Sequence, residues 1–364
     1  MKMLFVSSRD VTKKSHGGFQ GTNKNYESCC ALLGRENVQV LDLSSRLSEK
    51  LTERMKKWVN YLRGYSAGMS NQIRDEVLEL AKRTDFVFLD YIGYGVLARD
   101  LKKAGYKGKI ICYFHNVEIK IRKEQAKLRK MDSWRVPLMN RNEKLAMQYA
   151  DIAVALHARD SRDLQEIYGP RKMELLPVSF VDYVTPPTGE QLEEFTCTQP
   201  VCLFLGNNWY PNIQGLRWFV DNVLDHVDIK LQIVGTGMDP LRSQYIHPKI
   251  EFLGYVKSLN DVMRKADFML SPIFLGSGMK VKTCEALMFG KNIIGTSELF
   301  VGYDLDFDKV GALCNTPEEF VVAFDNFSKH PRKRYNQYSR AVYEQKYSFD
   351  ATLKIFRSIL SIPE

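Results

Sequence analysis

A chain of 364 residues with 45% hydrophobic and 26% charged residues is too long for one growing core and apolar enough to build two, which excludes a disordered chain and one that needs metals or disulfides to fold. A formal net charge of +9 calls for an anionic partner without choosing among nucleic acid, an acidic lipid surface and a phosphorylated substrate. The seven cysteines have no CxxC spacing and read as reduced core thiols, no stretch approaches the roughly 20 apolar residues of a membrane span, and Met1–Val6 is too short for a signal peptide, so a cytoplasmic protein is expected.

The first strand is expected over Met3–Ser7, followed by a glycine loop through His16, Gly17, Gly18 and Gly21. A helix then starts near Thr22 or Asn23, either of which suits an N-cap. Apolar, β-branched or aromatic runs follow at Val38–Leu43, Phe86–Leu89, Ile110–Phe114 and Ile152–Leu156, with helical patterns such as Ile73–Lys82 and Arg141–Ala150 between them. Such alternation predicts a parallel sheet with helices on both faces.

The pattern pauses between Val178 and Pro200, where prolines, Gly189 and acidic residues replace the periodicity. It restarts with strands at Val201–Leu205, Lys230–Val234, Ile250–Leu253, Phe268–Leu270 and Asn292–Gly295, and helices at Gln214–Val223, Leu259–Lys265 and Lys282–Phe289. Tyr335–Tyr347 and Phe349–Ile359 are helical in pattern. The expected organisation is an α/β protein with a first domain over 1–182, a linker over 183–200, a second domain over 201–344 and a tail over 345–364 that crosses back onto the first domain.

The segment Leu270–Lys291 carries the sharpest chemistry. A strand ends at Ser271-Pro272, a turn through Gly276, Ser277, Gly278 and Met279 exposes backbone N–H groups, and a helix begins near Val281 with its positive end toward the turn, a site suited to an anion. Lys280 and Lys282 add charge, and Glu285, one turn into the helix, can accept hydrogen bonds from ribose hydroxyls. Spacing alone is equally satisfied by a tight turn with solvated lysines.

This segment resembles the donor-site signature of retaining GT-B glycosyltransferases of the family-four (group 1) type, in the variant where GxGxKxKxxEA replaces the commoner ExxxxxxxE pattern. Ser277 stands where that pattern has its first glutamate. Phe204 to Asn212, with Gly206, Asn207 and Asn208, resembles the family's first strand and donor-facing loop of the second domain; Gln214 stands where many members carry lysine. Gln232 to Gly237, containing Gly235, and Phe252 to Val256, containing Tyr255, resemble the next two blocks. In the first domain His115-Asn116-Val117-Glu118 resembles the HNVE block, and Gly17-Gly18 the first glycine loop. Tyr149 to Leu156 with Arg159-Asp160 is also family-like, and reads as core strand plus helix cap.

The resemblance implies two Rossmann-like domains facing each other across a deep cleft, and transfer of a sugar from a nucleotide-diphosphate sugar to a saccharide or lipid-linked acceptor with retention. It implies His115, Lys282 and Glu285 as catalytic residues. Donor contacts are then expected from Gly17, Gly18, Gly206, Asn207, Asn208, Gly235, Tyr255, Val256, Ser277, Gly278, Met279 and Lys280. Acceptor-side candidates are His16, Thr22, Asn23, Asn116 and Glu118. No cofactor and no metal is expected: the Asp304-Leu305-Asp306 spacing that holds a metal in another glycosyltransferase fold reads here as a solvated loop.

Two basic regions bear on the charge. Arg46–Tyr65 is amphipathic, and Lys120–Arg135 has seven basic residues against two acidic ones, with Trp134 near its end. Either suits an anionic membrane surface at about 1 kcal/mol per basic residue; the first also reads as an ordinary helix whose apolar stripe packs on its own sheet, and the second as contact with an acceptor phosphate or plain solvation. The rival readings are a nucleotide-sugar epimerase or other GT-B enzyme without an acceptor, and a non-catalytic basic membrane- or nucleic-acid-binding protein, which the ordered donor-site blocks disfavour. A nicotinamide dehydrogenase is disfavoured because Gly17 to Gly21 does not spell GxGxxG. No nucleic-acid partner is expected.

Overall fold

Unbroken apolar runs become strands buried on both faces, as parallel sheets require. The computed structural model describes residues 1–12, 17–44, 58–66, 68–187, 189–197 and 199–363. They form two units, one of Met1–Ser179 with the tail from Phe349, the other of Phe180–Ser348.

In the first unit the strands are β1 (Met3–Ser7), β2 (Val38–Asp42), β3 (Phe86–Leu89), β4 (Lys109–Phe114), β5 (Ile152–Ala155) and β6 (Glu174–Leu175). They make one parallel sheet in the order β2-β1-β3-β4-β5-β6. Its helices are α1 (Gly17–Leu33), α2 (Asn71–Ala81), α3 (Gly95–Lys103), α4 (Glu118–Leu128), α5 (Arg135–Tyr149) and α6 (Ala158–Tyr168). The core joins the strand interiors to Val77, Leu97, Leu101, Ala146 and Leu164 from these helices.

The second unit repeats the plan with β7 (Val201–Leu205), β8 (Lys230–Val234), β9 (Ile250–Gly254), β10 (Phe268–Ser271), β11 (Asn292–Gly295) and β12 (Gly311–Leu313), in the order β12-β11-β10-β7-β8-β9. Its helices are α7 (Gly189–Leu192), α8 (Tyr210–Asn222), α9 (Asp239–Arg242), α10 (Leu259–Lys265), α11 (Val281–Met288), α12 (Phe307–Val310), α13 (Pro317–Lys329) and α14 (Gln337–Val342), the last running into a π-helical turn over Tyr343–Tyr347. The proline-rich stretch is held in this unit, where the Phe195 amide donates to Arg332 O at 2.9 Å. The tail helix α15 (Phe349–Leu360) belongs to the first unit and packs on α1, with the buried Phe356 ring 5.8 Å from Phe88.

The strand order reverses between β1 and β3 in the first sheet and between β7 and β10 in the second. In open α/β sheets the crevice outside the carboxyl ends of the strands at such a switch point is where ligands bind. It singles out the loops after β7 and β10, and the residues following β1 and β3.

Three helices start a turn or more earlier than their sequence patterns suggest, among them α5, which begins at Arg135 rather than Arg141. Helix α1 begins at Gly17, so Thr22 and Asn23 lie inside it rather than at its cap. Helix α8 begins at Tyr210, with Trp209 as N-cap and Pro211 in its first turn, where the missing N–H costs nothing. The edge strands β6 and β12, of two and three residues, are too short to leave a periodic signal. Three sites required glycine or a buried cation. Gly235 has φ of +152°, and a Cβ there would lie 1.7 Å from Gly206 O; a Cβ on Gly215 would lie 1.8 Å from Pro272 O. Lys291, 1% exposed, donates to the carbonyls of Met263 and Ala266 at 2.7 and 2.6 Å, closing the end of α10.

Candidate active site

In the first unit Asp90 follows β3 directly, 1% exposed. Thr22 Oγ1 donates to its Oδ2 at 2.6 Å and Asn25 Nδ2 to its Oδ1 at 2.7 Å. Those donors sit three residues apart on α1, hence on one helix face. His115, just beyond β4, brings Nε2 to 3.3 Å from Asp90 Oδ1. Burial pushes the Asp90 carboxyl up, but His115 and the hydrogen bonds outweigh it and leave the group below its usual range. The His115 ring lies edge-on to Tyr113 at 4.7 Å, and a Cβ on Gly21 would touch it at 3.4 Å, so both the ring's neighbour and the helix turn fix its orientation.

Asp90 and Asn25 were not singled out in the sequence. An acidic residue closing a buried strand at the switch point was the available signal. Thr22 and Asn23 are buried and spend their polar groups internally, Thr22 on Asp90 and Asn23 on Val11 O at 2.7 Å. Gly17 and Gly18 form the first turn of α1. His16 lies outside the described residues.

Asn116 Nδ2 reaches Glu118 Oε1 at 3.5 Å, and Glu118 lies 3.5 Å from Arg122. The start of α4 is capped from a distance: Glu143 on α5 accepts the amides of Glu118 and Ile119 at 2.6 and 3.1 Å and the Tyr168 hydroxyl at 2.7 Å. Burial pushes the Glu143 carboxyl up to about 7 against those bonds.

In the second unit the loops after β7 and β10 meet at the switch point. Glycine at position 215 lets α8 approach Pro272, and Gly235 lets the turn after β8 lie on Gly206. Asn207 and Asn208 are exposed; the Asn208 amide donates to Thr236 O at 3.1 Å, and Asn212 Nδ2 donates to the Asn207 side chain at 3.0 Å. Tyr255 is 72% exposed beyond β9, with Val256 half-buried.

After β10 the chain turns through Gly276 (φ +143°) and Gly278 (φ +64°) into α11, whose N-cap, Lys280, provides no side-chain cap. Tyr303 holds this helix start, donating to Lys280 O at 2.8 Å and accepting the Cys284 amide at 3.2 Å. Lys282 and Glu285 lie three residues apart on one face of α11. Ser277 is half-buried, whereas the Met279 side chain is 5% exposed and belongs to the interior.

The two lysines differ. Lys280 Nζ is 2.8 Å from Glu298 Oε1 and 3.1 Å from Gly278 O, so its charge is offset by a carboxylate. Lys282 Nζ donates to Asn212 Oδ1 at 2.9 Å and lies 4.9 Å over the Phe204 ring. Burial, reinforced by Lys280, holds its ammonium down to about 7 against the pull of Glu285. Burial raises the Glu285 carboxyl, opposed by Tyr183 and Lys282. Tyr183, which sequence reasoning missed, donates to Glu285 Oε1 at 2.8 Å.

The DxD spacing is dispersed: Asp306 caps α12 and pairs with Lys309 at 2.9 Å, and Asp304 pairs with Lys346 at 2.6 Å.

Residues 199–328 match the family model described as glycosyl transferases group 1. No curated protein matches the chain in sequence. Among solved structures, the chain is similar to sucrose-phosphate synthase from Thermosynechococcus elongatus, at TM-score 0.70 and 12% identity with 100% of both chains covered. It is similar to HepE of Anabaena in complex with UDP and glucose, at TM-score 0.67 and 12% identity with 99% of both chains covered. It also resembles the lipopolysaccharide outer core galactosyltransferase WaaB, at TM-score 0.67 and 15% identity with 99% of both chains covered. These whole-chain likenesses show the fold, that of the GT-B glycosyltransferases.

Proposed function

We propose that the chain is a retaining, metal-independent glycosyltransferase that moves a sugar from a nucleotide-diphosphate sugar to a saccharide or lipid-linked acceptor in cell-surface polysaccharide synthesis. The carrying observation is the coincidence, at the switch point of the second sheet, of an α11 start without a side-chain cap, Lys282 and Glu285 on one helix face. The diphosphate lies on the backbone amides at the start of α11 and draws the Lys282 ammonium from Asn212; the ribose bonds Glu285. Positive charge placed in advance where the leaving diphosphate develops its charge is the electrostatic part of catalysis. With no side chain assigned as a nucleophile, the acceptor hydroxyl attacks on the face from which the diphosphate departs. In the first unit, Asp90 orients the imidazole of His115 just beyond β4, at the ligand-binding end of that sheet.

The test is a thermal-shift panel of nucleotide sugars followed by NMR of the stabilising donor with and without saccharide acceptors. A ligand at 100 times its Kd stabilises the folded state by about 2.7 kcal/mol, so one base and sugar should stand out. Consumption of that donor without any acceptor, giving an isomerised nucleotide sugar, would establish the epimerase instead.

A specific observation favours contact with an anionic membrane from the cytoplasmic side. Among the described residues of the two basic regions, Trp58 stacks on Trp134 at 5.1 Å, Tyr61 lies 4.8 Å from Trp134, and Arg135 sits over the Trp134 ring at 5.2 Å. Around them Leu62 and Met131 are 84% and 89% exposed. An exposed Trp58 packed against half-buried Tyr61 and Trp134 among arginines and lysines fits the headgroup layer of a bilayer; residues 46–57 of the first basic region lie outside the described residues. The protein should cosediment with vesicles rich in phosphatidylglycerol and not with phosphatidylcholine vesicles. Trp134→Ala and added salt should each release it; equal binding to both vesicle types would remove this reading.

A further inference from the structure

The chain entering the second unit is a strap tied down at successive points. The Phe180 amide donates to Tyr347 O at 3.4 Å, and Tyr343 Oη donates to Phe180 O at 2.9 Å. Asp182 pairs with Arg340 of α14. Thr185 Oγ1 donates to Asn260 Oδ1 at 3.1 Å and accepts from Arg264 at 2.8 Å, both on α10. Tyr183 stands in the middle of this strap, 48% exposed, with its ring edge-on to Phe289 at 5.8 Å. An exposed tyrosine has bulk water for its hydroxyl, yet this one is aimed at Glu285 Oε1 at 2.8 Å.

A carboxylate has two oxygens and about four acceptor positions. Unsupported, Glu285 rotates about its last bond and must be ordered when a ligand arrives, which costs affinity. Lys282, its neighbour on the helix face, is turned to Asn212 and does not supply that support. A phenol held by a strap with several anchors does.

We propose that Tyr183 is the positioning residue for ribose recognition: by donating to Oε1 of Glu285 it presents the second carboxylate oxygen to the ribose hydroxyls of the donor nucleotide, an inference that rests on the nucleotide-sugar reading above. Tyr183 itself forms no bond to the ligand. Its effect is therefore confined to ligands that carry the hydroxyls Glu285 recognises.

Isothermal titration of UDP, GDP and ADP against wild type identifies the nucleotide that binds, and its 2′,3′-dideoxy counterpart is then compared in wild type, Tyr183→Phe and Asp182→Asn. Tyr183→Phe keeps the ring on Phe289. It should weaken the ribonucleotide about tenfold, the scale of one hydrogen bond to a charged group, and leave the dideoxynucleotide unchanged, so the preference for ribose collapses at an unaltered melting temperature. Asp182→Asn loosens the same strap without touching the Glu285 bond and should keep the preference. An equal loss on both ligands in Tyr183→Phe, an unchanged preference, or the same collapse in Asp182→Asn would overturn the assignment. If wild type binds none of the three diphosphates, the nucleotide-sugar reading falls, and the Tyr183 inference with it; binding without any ribose preference overturns the inference alone.

Discussion

Replacing Lys282 by methionine is expected to lower sugar transfer by about 10²–10³-fold, the usual loss when one prearranged charge-stabilising donor is removed. The fold should survive, because methionine fills the space beside Phe204 and the lost bond to Asn212 is one of a network that Asn212 also makes with Asn207. The same variant has a pH signature. Lys282 titrates at about 7 in the folded protein and at about 10.4 when unfolded. Between those values the unfolded chain binds more protons, so this residue makes stability rise with pH, by up to about 1.4 kcal/mol per unit. Diphosphate affinity runs the other way: the ligand needs the ammonium, so it weakens as pH climbs above about 7. Lys291, also held down to about 7 by burial, contributes a similar stability slope, and the difference between wild type and Lys282→Met isolates the share of Lys282. Urea unfolding and calorimetric titration across pH 7 to 10 read both slopes. A variant that keeps wild-type turnover and both slopes would remove Lys282 from the site.

The parts of this molecule that could be read from sequence are those whose signal is local. A central parallel strand is buried on both faces and therefore appears as an unbroken apolar run, which is why β1, β3, β7 and β10 are legible from Met3, Phe86, Val201 and Phe268 onward. The turn through Gly276 and Gly278 into α11 is local too. The two expected lysines looked alike because a sequence does not show that Lys280 meets Glu298, eighteen residues away, while Lys282 meets Asn212, seventy away. Distance along the chain also hid Asp90, Glu143 and Tyr183. Each is a single polar residue whose role depends on what the fold brings opposite: α1 and His115, the start of α4, and Glu285. The early starts of α1 and α8 were obscured for another reason, since glycine and proline read as punctuation even where a first helical turn tolerates them.

Gly215→Ala is expected to be among the most damaging small substitutions in the second unit. In an exposed helix alanine would gain about 1 kcal/mol over glycine. Here the added methyl would fall 1.8 Å from the Pro272 carbonyl oxygen, a backbone atom on the short path from β10 to α11 that cannot swing aside. Either α8 moves away from the sheet, opening the core around Leu216 and Phe219, or the loop after β10 moves. Overpacking of this kind costs about 3 kcal/mol at the upper end of its usual range, or roughly 6–12 °C in melting temperature for a unit of this size. The consequence for the site follows from the same contact. Asn212 lies one turn before Gly215 on α8 and holds Lys282 at 2.9 Å, so a shift of α8 breaks the bond that parks the ammonium beside the start of α11. Gly215→Ala should therefore lose donor affinity even at temperatures where it remains folded, whereas a cavity variant in the same core, Phe324→Leu on α13, which adds no atom against the loop after β10, should lose stability alone. Melting curves with and without the donor nucleotide separate the two: the ligand-induced rise in Tm should shrink in Gly215→Ala and persist in Phe324→Leu.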